Sequence, residues 1–264
     1  DANMVLDDET FTAERPVIHV KGGAALTLQP RNFVGWDAQQ GSGAFLPGIV
    51  TLLDGGADAA QTATLNRIPL MNGETPRTDQ LLSPIWFKGF STMTLDPAGD
   101  VNIYRASETD AVFKAFDGAA AVITTRPGAK GVAAIDIQNK SNPIVEVGAD
   151  ATLTLDVILS DSNAGTVTTK RGAGTLVLTQ ANTSKTCLTI AEGGLTFSGA
   201  AAAWAGGITL ADGAAFSAVK GGVLDTTALT LGEGCALSVD ETSALKIASD
   251  QLSAFTPTLA EGAK

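Results

Sequence analysis

The sequence predicts an all-β chain wound as a right-handed parallel β-helix, a solenoid, with irregular loops in its N-terminal third. Three observations point there. Glu192-Gly193, Asp212-Gly213 and Glu233-Gly234 each precede an apolar alternating run, at spacings of 20 (212 less 192) and 21 (233 less 212). A fixed period in the twenties marks a repeat that cannot bury its own apolar face and stacks on its neighbours to do so. The second observation is a pair of columns at that period. Leu176, Leu195, Phe216 and Leu237 stand 19, 21 and 21 apart, while Leu188, Ile208 and Leu229 stand 20 and 21 apart, with Leu245 or Ile247 next. They predict parallel strands stacked about 4.8 Å apart, joined by crossovers that favour right-handed winding. The third observation is composition. The 264 residues are 44% hydrophobic but 5% aromatic and include 29 glycines, which suits narrow stacked strands better than a core built on aromatic anchors.

Taken from the N-terminus, residues 1–92 are expected to be β-rich with long loops. Val17 to Leu28 and Ile49 to Gly56 follow a strand-and-glycine-turn grammar. The stretches from Gln29 to Trp36 and from Asn66 to Arg77 hold prolines, arginines and asparagines that a coil interior would not tolerate, and they read as loops. Loops that leave a rigid stack are where a solenoid carries specificity. Residues 93–250 are expected to form the regular coils. Met93 with Leu95, Val101 with Ile103, Ile135 with Ile137, Val145 with Val147, and Leu153 with Leu155 and Val157 each form one face of a strand. The run Ala200 to Ala205 is bracketed too closely by Gly199, Gly206 and Gly207 for more than a helical turn. Residues 251–264 form a tail.

Charge and cysteine content narrow the function classes. The formal net charge of −11, from 17 basic against 28 acidic residues, disfavours nucleic acid and anionic lipid, which proteins engage through Lys and Arg clusters. No apolar run approaches the roughly 20 residues that span a bilayer, so no direct membrane insertion is expected. From Asp1 there is no basic segment followed by an apolar one, which fits either a removed signal peptide or a chain that is a piece cut from a longer one. By alternation Cys187 points outward and Cys235 inward. They lie more than two coils, about 9 Å of strand spacing, apart, which predicts two free thiols.

Residues 170–197 carry the most specific motif. Lys170, Gly172, Gly174, Thr175, Leu176 and Leu178 open it, Asn182-Thr183 makes a turn, and Gly193, Gly194, Leu195 and Phe197 close it. This pattern resembles the passenger-associated transport repeat of bacterial autotransporters. Ser184 to Cys187 stand where that repeat has a tyrosine after its Asn-Thr pair. The resemblance implies a parallel β-helical passenger, secreted or held on the outer surface of a Gram-negative-type bacterium. Between Ile247 and Lys264 there is no alternating strand of about 10 residues of the kind that builds the membrane barrel of such proteins.

Chemistry has few candidates. His19, the single histidine, alternates with Val17 and Lys21 and is expected to face the surface. Metal sites built on His and Cys lack ligands, no catalytic residue is assigned, and no cofactor is expected. Glu192, Asp212 and Glu233 stack at equivalent turns, where a solvated row is favoured over a calcium site because no loop of calcium-ligand spacing accompanies them. A polysaccharide lyase, glycoside hydrolase or glycoprotein-degrading hydrolase would draw on the outward Asp96, Asp136, Glu146 and Asp156 with Arg105 or Arg126. Trp36, Trp86 and Trp204 each offer an indole to a sugar, against a packing role in which Trp86 and Phe90 cap an end of the stack. The favoured expectation is a structural scaffold or adhesin whose partner is a glycan or glycoprotein. Trp36, Trp86, Phe90, Arg31 and Arg67 are its candidate binding residues.

Overall fold

A computed structural model of the chain describes residues 17–28, 50–69, 71–72, 75–76, 79–80, 84–99, 101–104, 111–138, 142–161, 165–199, 201–226 and 228–246. These build three long sheets. The first holds nine strands from Val17–Lys21 to Leu229–Leu231, and the second nine from Ala25–Leu28 to Ala236–Val239. The third holds eight, from Asp79–Gln80 to Ala244–Lys246. From Asp79 on the chain visits the third, first and second sheets in turn, and neighbouring strands in each sheet run parallel. One apolar cluster, drawn from all three sheets, fills the space between them. The architecture is a parallel β-helix. Only a short antiparallel pair, Met71–Asn72 with Thr75–Pro76, and one 3-10 turn, Ala59–Gln61, depart from the pattern among the described residues.

The strands form because each alternates. Leu195 and Phe197 are fully buried while Thr196 and Ser198 are not, and the same two-residue rhythm runs through Thr152–Asp156, Thr175–Leu178 and Ala215–Val219. No single strand can shield its apolar side. Stacked in register they do: Leu176 pairs with Leu195, Leu195 with Phe216, and Phe216 with Leu237. The second column holds from Leu188 through Ile208 to Leu229. Each such side chain contributes about 1.5–3 kcal/mol on burial. The inward faces expected from Met93 to Val157 are all buried.

Four expectations need correction. Leu245 does not extend the Leu229 column, because it pairs with Leu224 in the third sheet; Ile247 lies outside the described residues. Ala201–Trp204 is a strand, and it carries Trp204 inward to 1% exposure, where the indole Nε1 donates to the Thr186 carbonyl at 2.8 Å. Asn66 and Arg67, read as loop, end the strand Ala63–Arg67. Arg67 pairs with Leu28 and Leu95 in an inward column and is 9% exposed. His19 is buried, 6% exposed, because the outer face of the first sheet is itself covered at this end. There Val50, Leu52 and Leu53 are buried together, so both faces of one strand are dry.

The motif at 170–197 has a physical reading. Lys170 takes an inward position in the first sheet between Val145 and Ile190 and is fully buried. Its ammonium donates to the carbonyls of Gly172, Gly174 and Glu192. Burial pulls its pKa down to about 8, against the opposing pull of the Glu192 charge. Gly193 is required beside it: its φ is 69°, and a Cβ there would collide with the Lys170 Nζ and the Gly174 carbonyl. Asn182, also fully buried, accepts from the Leu159 N–H at 2.7 Å and so ties the third sheet across a coil.

The expected division near residue 92 falls inside the strand Phe90–Leu95, which pairs with Ala63–Arg67 on one side and Ala120–Thr125 on the other. Coil lengths do change along the chain. Successive partners in one column of the first sheet, Thr51, Ile85, Phe113, Val145, Lys170, Ile190, Leu210 and Leu231, are separated by 34, 28, 32, 25, 20, 20 and 21 residues.

Candidate functional site

The richest side-chain chemistry among the described residues lies on the outer face of the first sheet. Register places His19, Leu52, Trp86, Lys114, Glu146 and Arg171 in one column across six coils. A neighbouring column carries Lys21, Asp54 and Lys88. Alternation makes both columns outward, and the pairing of successive strands sets their members about 4.8 Å apart.

The first column changes character along its length. At the N-terminal end Val50 and Leu52 form a separate apolar cluster against which Trp86 and Phe116 pack. The rings of Trp86 and Phe116 meet edge to face, with centroids 5.8 Å apart and planes at 80°. The Lys114 ammonium lies 5.0 Å from the Phe116 centroid and 5.8 Å from that of Trp86, within range of cation–π attraction. Further on, Glu146 takes Lys114 at 2.8 Å and Arg171 at 2.7 Å, a cation–anion–cation ladder on three successive coils. Burial works against the Glu146 charge, yet the hydrogen bonds and charges of Lys114 and Arg171 outweigh it and hold the carboxyl below its ordinary pKa.

Beside this column a groove of about 420 Å³ opens, with Leu52, Asp54, Lys88, Lys114, Phe116 and Asp117 on its walls. Asp54 accepts from His19 Nε2 at 2.9 Å and faces Lys88 Nζ at 3.5 Å. The Lys88 side chain keeps 53% of its surface open. Asp117 accepts from the Ala149 N–H of the next coil at 2.9 Å. That reach depends on Gly148, where a Cβ would strike the Asp117 carboxylate.

The residues singled out from the sequence fare differently. Arg31 and Trp36 lie outside the described residues. Trp86 is beside the groove but does not line it; Phe116, which does, meets it edge to face. Phe90 opens a strand of the second sheet and is half-buried. Arg67 faces the core, and Trp204 is sealed inside it. Trp86, Phe90 and Arg67 therefore do not converge on one surface. Phe116, Lys88, Lys114 and Asp117 were missed. The signal for them was the offset between Leu52, Trp86 and Lys114, 34 and 28 residues, which no constant period reveals.

Three of the four acids weighed for catalysis, Asp96, Glu146 and Asp156, are bound into the scaffold. Asp96 pairs with Arg126 at 2.8 Å. Asp156 accepts from Thr124, Thr179 and Gln180 at 2.8, 2.6 and 2.6 Å; burial disfavours its charge, but these bonds hold its pKa below the ordinary value. Asp136 sits in the third sheet opposite Asn102 and Ser160, and Arg105 lies outside the described residues. The turn acids are exposed and bond the neighbouring coil: Asp212 accepts from the Glu233 N–H at 2.7 Å, and Glu192 from the Gly172 N–H at 3.1 Å. No cluster of three or more His, Cys, Asp or Glu suited to a metal occurs among the described residues. Cys187 and Cys235 are both free thiols, and the Cys235 Sγ donates to the Ala211 carbonyl at 3.1 Å. No described helix is long and apolar enough to cross a membrane.

No family model, no curated protein and no solved structure matches this chain.

Proposed function

We propose that this chain is a rigid scaffold and adhesin, secreted by or displayed on a Gram-negative-type bacterium, that recognises a glycan or glycoprotein. The observation that carries this reading is the groove on the outer face of the first sheet, where an aromatic ring stands among cations and carboxylates on a stack of paired strands. Such a surface is preorganised, so little is lost to ordering when a ligand docks. The autotransporter-like pattern at residues 170–197 supports export, and the net charge of −11 argues against nucleic acid and anionic lipid. Asp96, Glu146 and Asp156, three of the acids that a β-helical hydrolase or lyase would draw on, are instead engaged in ion pairs and hydrogen bonds that join the coils.

The test is a glycan array probed with the intact protein, followed by product analysis on each glycan retained. The proposal predicts capture of a defined glycan set without turnover. Release of shortened or unsaturated products, abolished by Asp136→Asn or Asp156→Asn, would transfer the protein to the enzymes.

A further inference from the structure

We infer that the groove beside Phe116 is a binding site for a neutral glycan, with one sugar unit resting on the Phe116 ring and its hydroxyls bonded to Lys88 and Asp117. This rests on the glycan-binding reading above and adds to it a place and a ligand class.

Size and floor come first. A volume of about 420 Å³ falls in the range of roughly 300–1,000 Å³ typical of small-ligand sites. Phe116, half-buried, gives it an aromatic floor over the buried Leu52, and the edge-to-face contact with Trp86 and the Lys114 ammonium 5.0 Å from the ring centroid fix the orientation of the Phe116 ring. A pyranose presents a face of C–H groups on one side and a rim of hydroxyls around it. An aromatic floor inside a polar rim is complementary to that shape.

The rim supplies both hydrogen-bonding senses. Lys88 carries three donors, and Asp54, at 3.5 Å, engages it only loosely. Asp117 gives one oxygen to the Ala149 N–H and retains the acceptor capacity of the other. A sugar hydroxyl both donates and accepts, so two adjacent hydroxyls satisfy a cation and a carboxylate together. Lys114 contributes less, since Glu146 already holds its ammonium at 2.8 Å.

Charge selects among glycans. Lys88, Lys114 and Arg171 stand among Asp54, Asp117 and Glu146, three cations interleaved with three carboxylates. A polyuronate would meet the carboxylates and a polyamine the cations at close range, each repulsion offsetting the attraction of the opposite charges. A ligand without charge meets neither. His19 and Asp54 act as positioning residues: the buried His19 holds Asp54, and Asp54 stands beside Lys88.

The test is an NMR titration of the intact ¹⁵N-labelled protein with cellohexaose, N-acetylated chitohexaose, xylohexaose, a hexagalacturonate and a glucosamine hexamer. At least one of the three neutral oligosaccharides is expected to shift the amides of Lys88, Phe116 and Asp117. Lys88→Ala, at an exposed position that leaves the fold intact, is expected to weaken that binding about tenfold, the effect of one charge-assisted hydrogen bond. Phe116→Leu keeps the apolar volume and removes the ring face, with a loss of similar size. The inference is overturned if the neutral sugars leave these amides unmoved, if both variants bind as the parent does, or if either charged oligosaccharide binds as tightly. The two readings separate on the array: a glycan captured equally by the parent and by Lys88→Ala sinks the groove and leaves the adhesin, whereas no captured glycan sinks both.

Discussion

Lys170 donates through its Nζ to the carbonyl of Glu192, one coil away, at 2.6 Å, from a column position that Val145 and Ile190 fill with apolar side chains. The interior of the stack thus holds an ammonium where its neighbours hold hydrocarbon. Three carbonyls, those of Gly172, Gly174 and Glu192, surround it, so turns of two successive coils are tied to one side chain.

That burial makes stability depend on alkaline pH. The Lys170 pKa is about 8 in the folded chain against an ordinary value of 10.5, so between those values the unfolded chain holds a proton that the folded chain has released. Stability therefore rises with pH across that window, by up to about 3 kcal/mol, and is flat below it. Urea unfolding at pH 7, 9 and 10.5 is expected to show this gain in the parent relative to Lys170→Met, in which the residue cannot titrate. Parallel curves for the two proteins contradict the prediction.

The Glu146 ladder has the opposite dependence. Its folded pKa is depressed, so its contribution is present above the ordinary carboxylate value and is lost as pH falls through the folded value. The three side chains are partly exposed, at 30, 23 and 40%, which limits the effect to about 1 kcal/mol. Glu146→Gln is expected to be less stable than the parent at pH 7, by a margin that shrinks as the pH is lowered below the ordinary carboxylate value, measured by guanidinium denaturation.

The two faces of the second sheet should respond very differently to alanine. Phe216 is 2% exposed, lies between Leu195 and Leu237, and packs on Phe197 with centroids 5.7 Å apart. Phe216→Ala is expected to cost about 3–5 kcal/mol. Thr196→Ala, one residue along from Leu195 and on the opposite face, should fall within about 0.5 kcal/mol. Equal losses at the two positions would mean that the alternation is wrong.

Lys220 adopts a φ of 55°, a left-handed conformation that its side chain disfavours. Lys220→Gly removes that strain at some cost in unfolded-chain entropy and is expected to raise stability by about 0.5–1 kcal/mol. Asp150, at φ 56°, occupies the turn position that Gly118 fills one coil earlier. Because aspartate tolerates this region better, Asp150→Gly should gain less. Thermal melts of both variants check the order.

Legibility followed coil length. Between Lys170 and Leu231 the coils hold 20 or 21 residues, so Leu195, Phe216 and Leu237 line up by counting alone. Nearer the N-terminus the spacing from Thr51 to Ile85 is 34 and from Ile85 to Phe113 is 28, and the column that brings Trp86 over Lys114 has no period to betray it. Alternation assigned His19 to the outer face, in register with Leu52 and Trp86, but outward did not mean exposed because that face is itself covered. Arg67 and Lys170 escaped for a related reason. Pattern alone assigns charged side chains to the surface, whereas turn carbonyls that accept from it can hold an ammonium inside. Trp204 sat in a run of alanines too short for a helix, and only the neighbouring strands show that it faces the core.

The in-register parallel stack is tested most directly by cysteine cross-linking on its outer face, in a background with Cys187→Ser and Cys235→Ala. Thr196 pairs with Ser217, and Ser217 with Ser238, so Thr196→Cys with Ser217→Cys joins adjacent coils while Thr196→Cys with Ser238→Cys skips one. Disulfides need Cα separations of about 4.4–6.8 Å, which the first pair meets at a strand spacing of about 4.8 Å and the second, at twice that, does not. Mild oxidation is expected to close the first pair quantitatively and leave the second as free thiols. Closure of the second pair in preference to the first would contradict the stack and every site placed upon it.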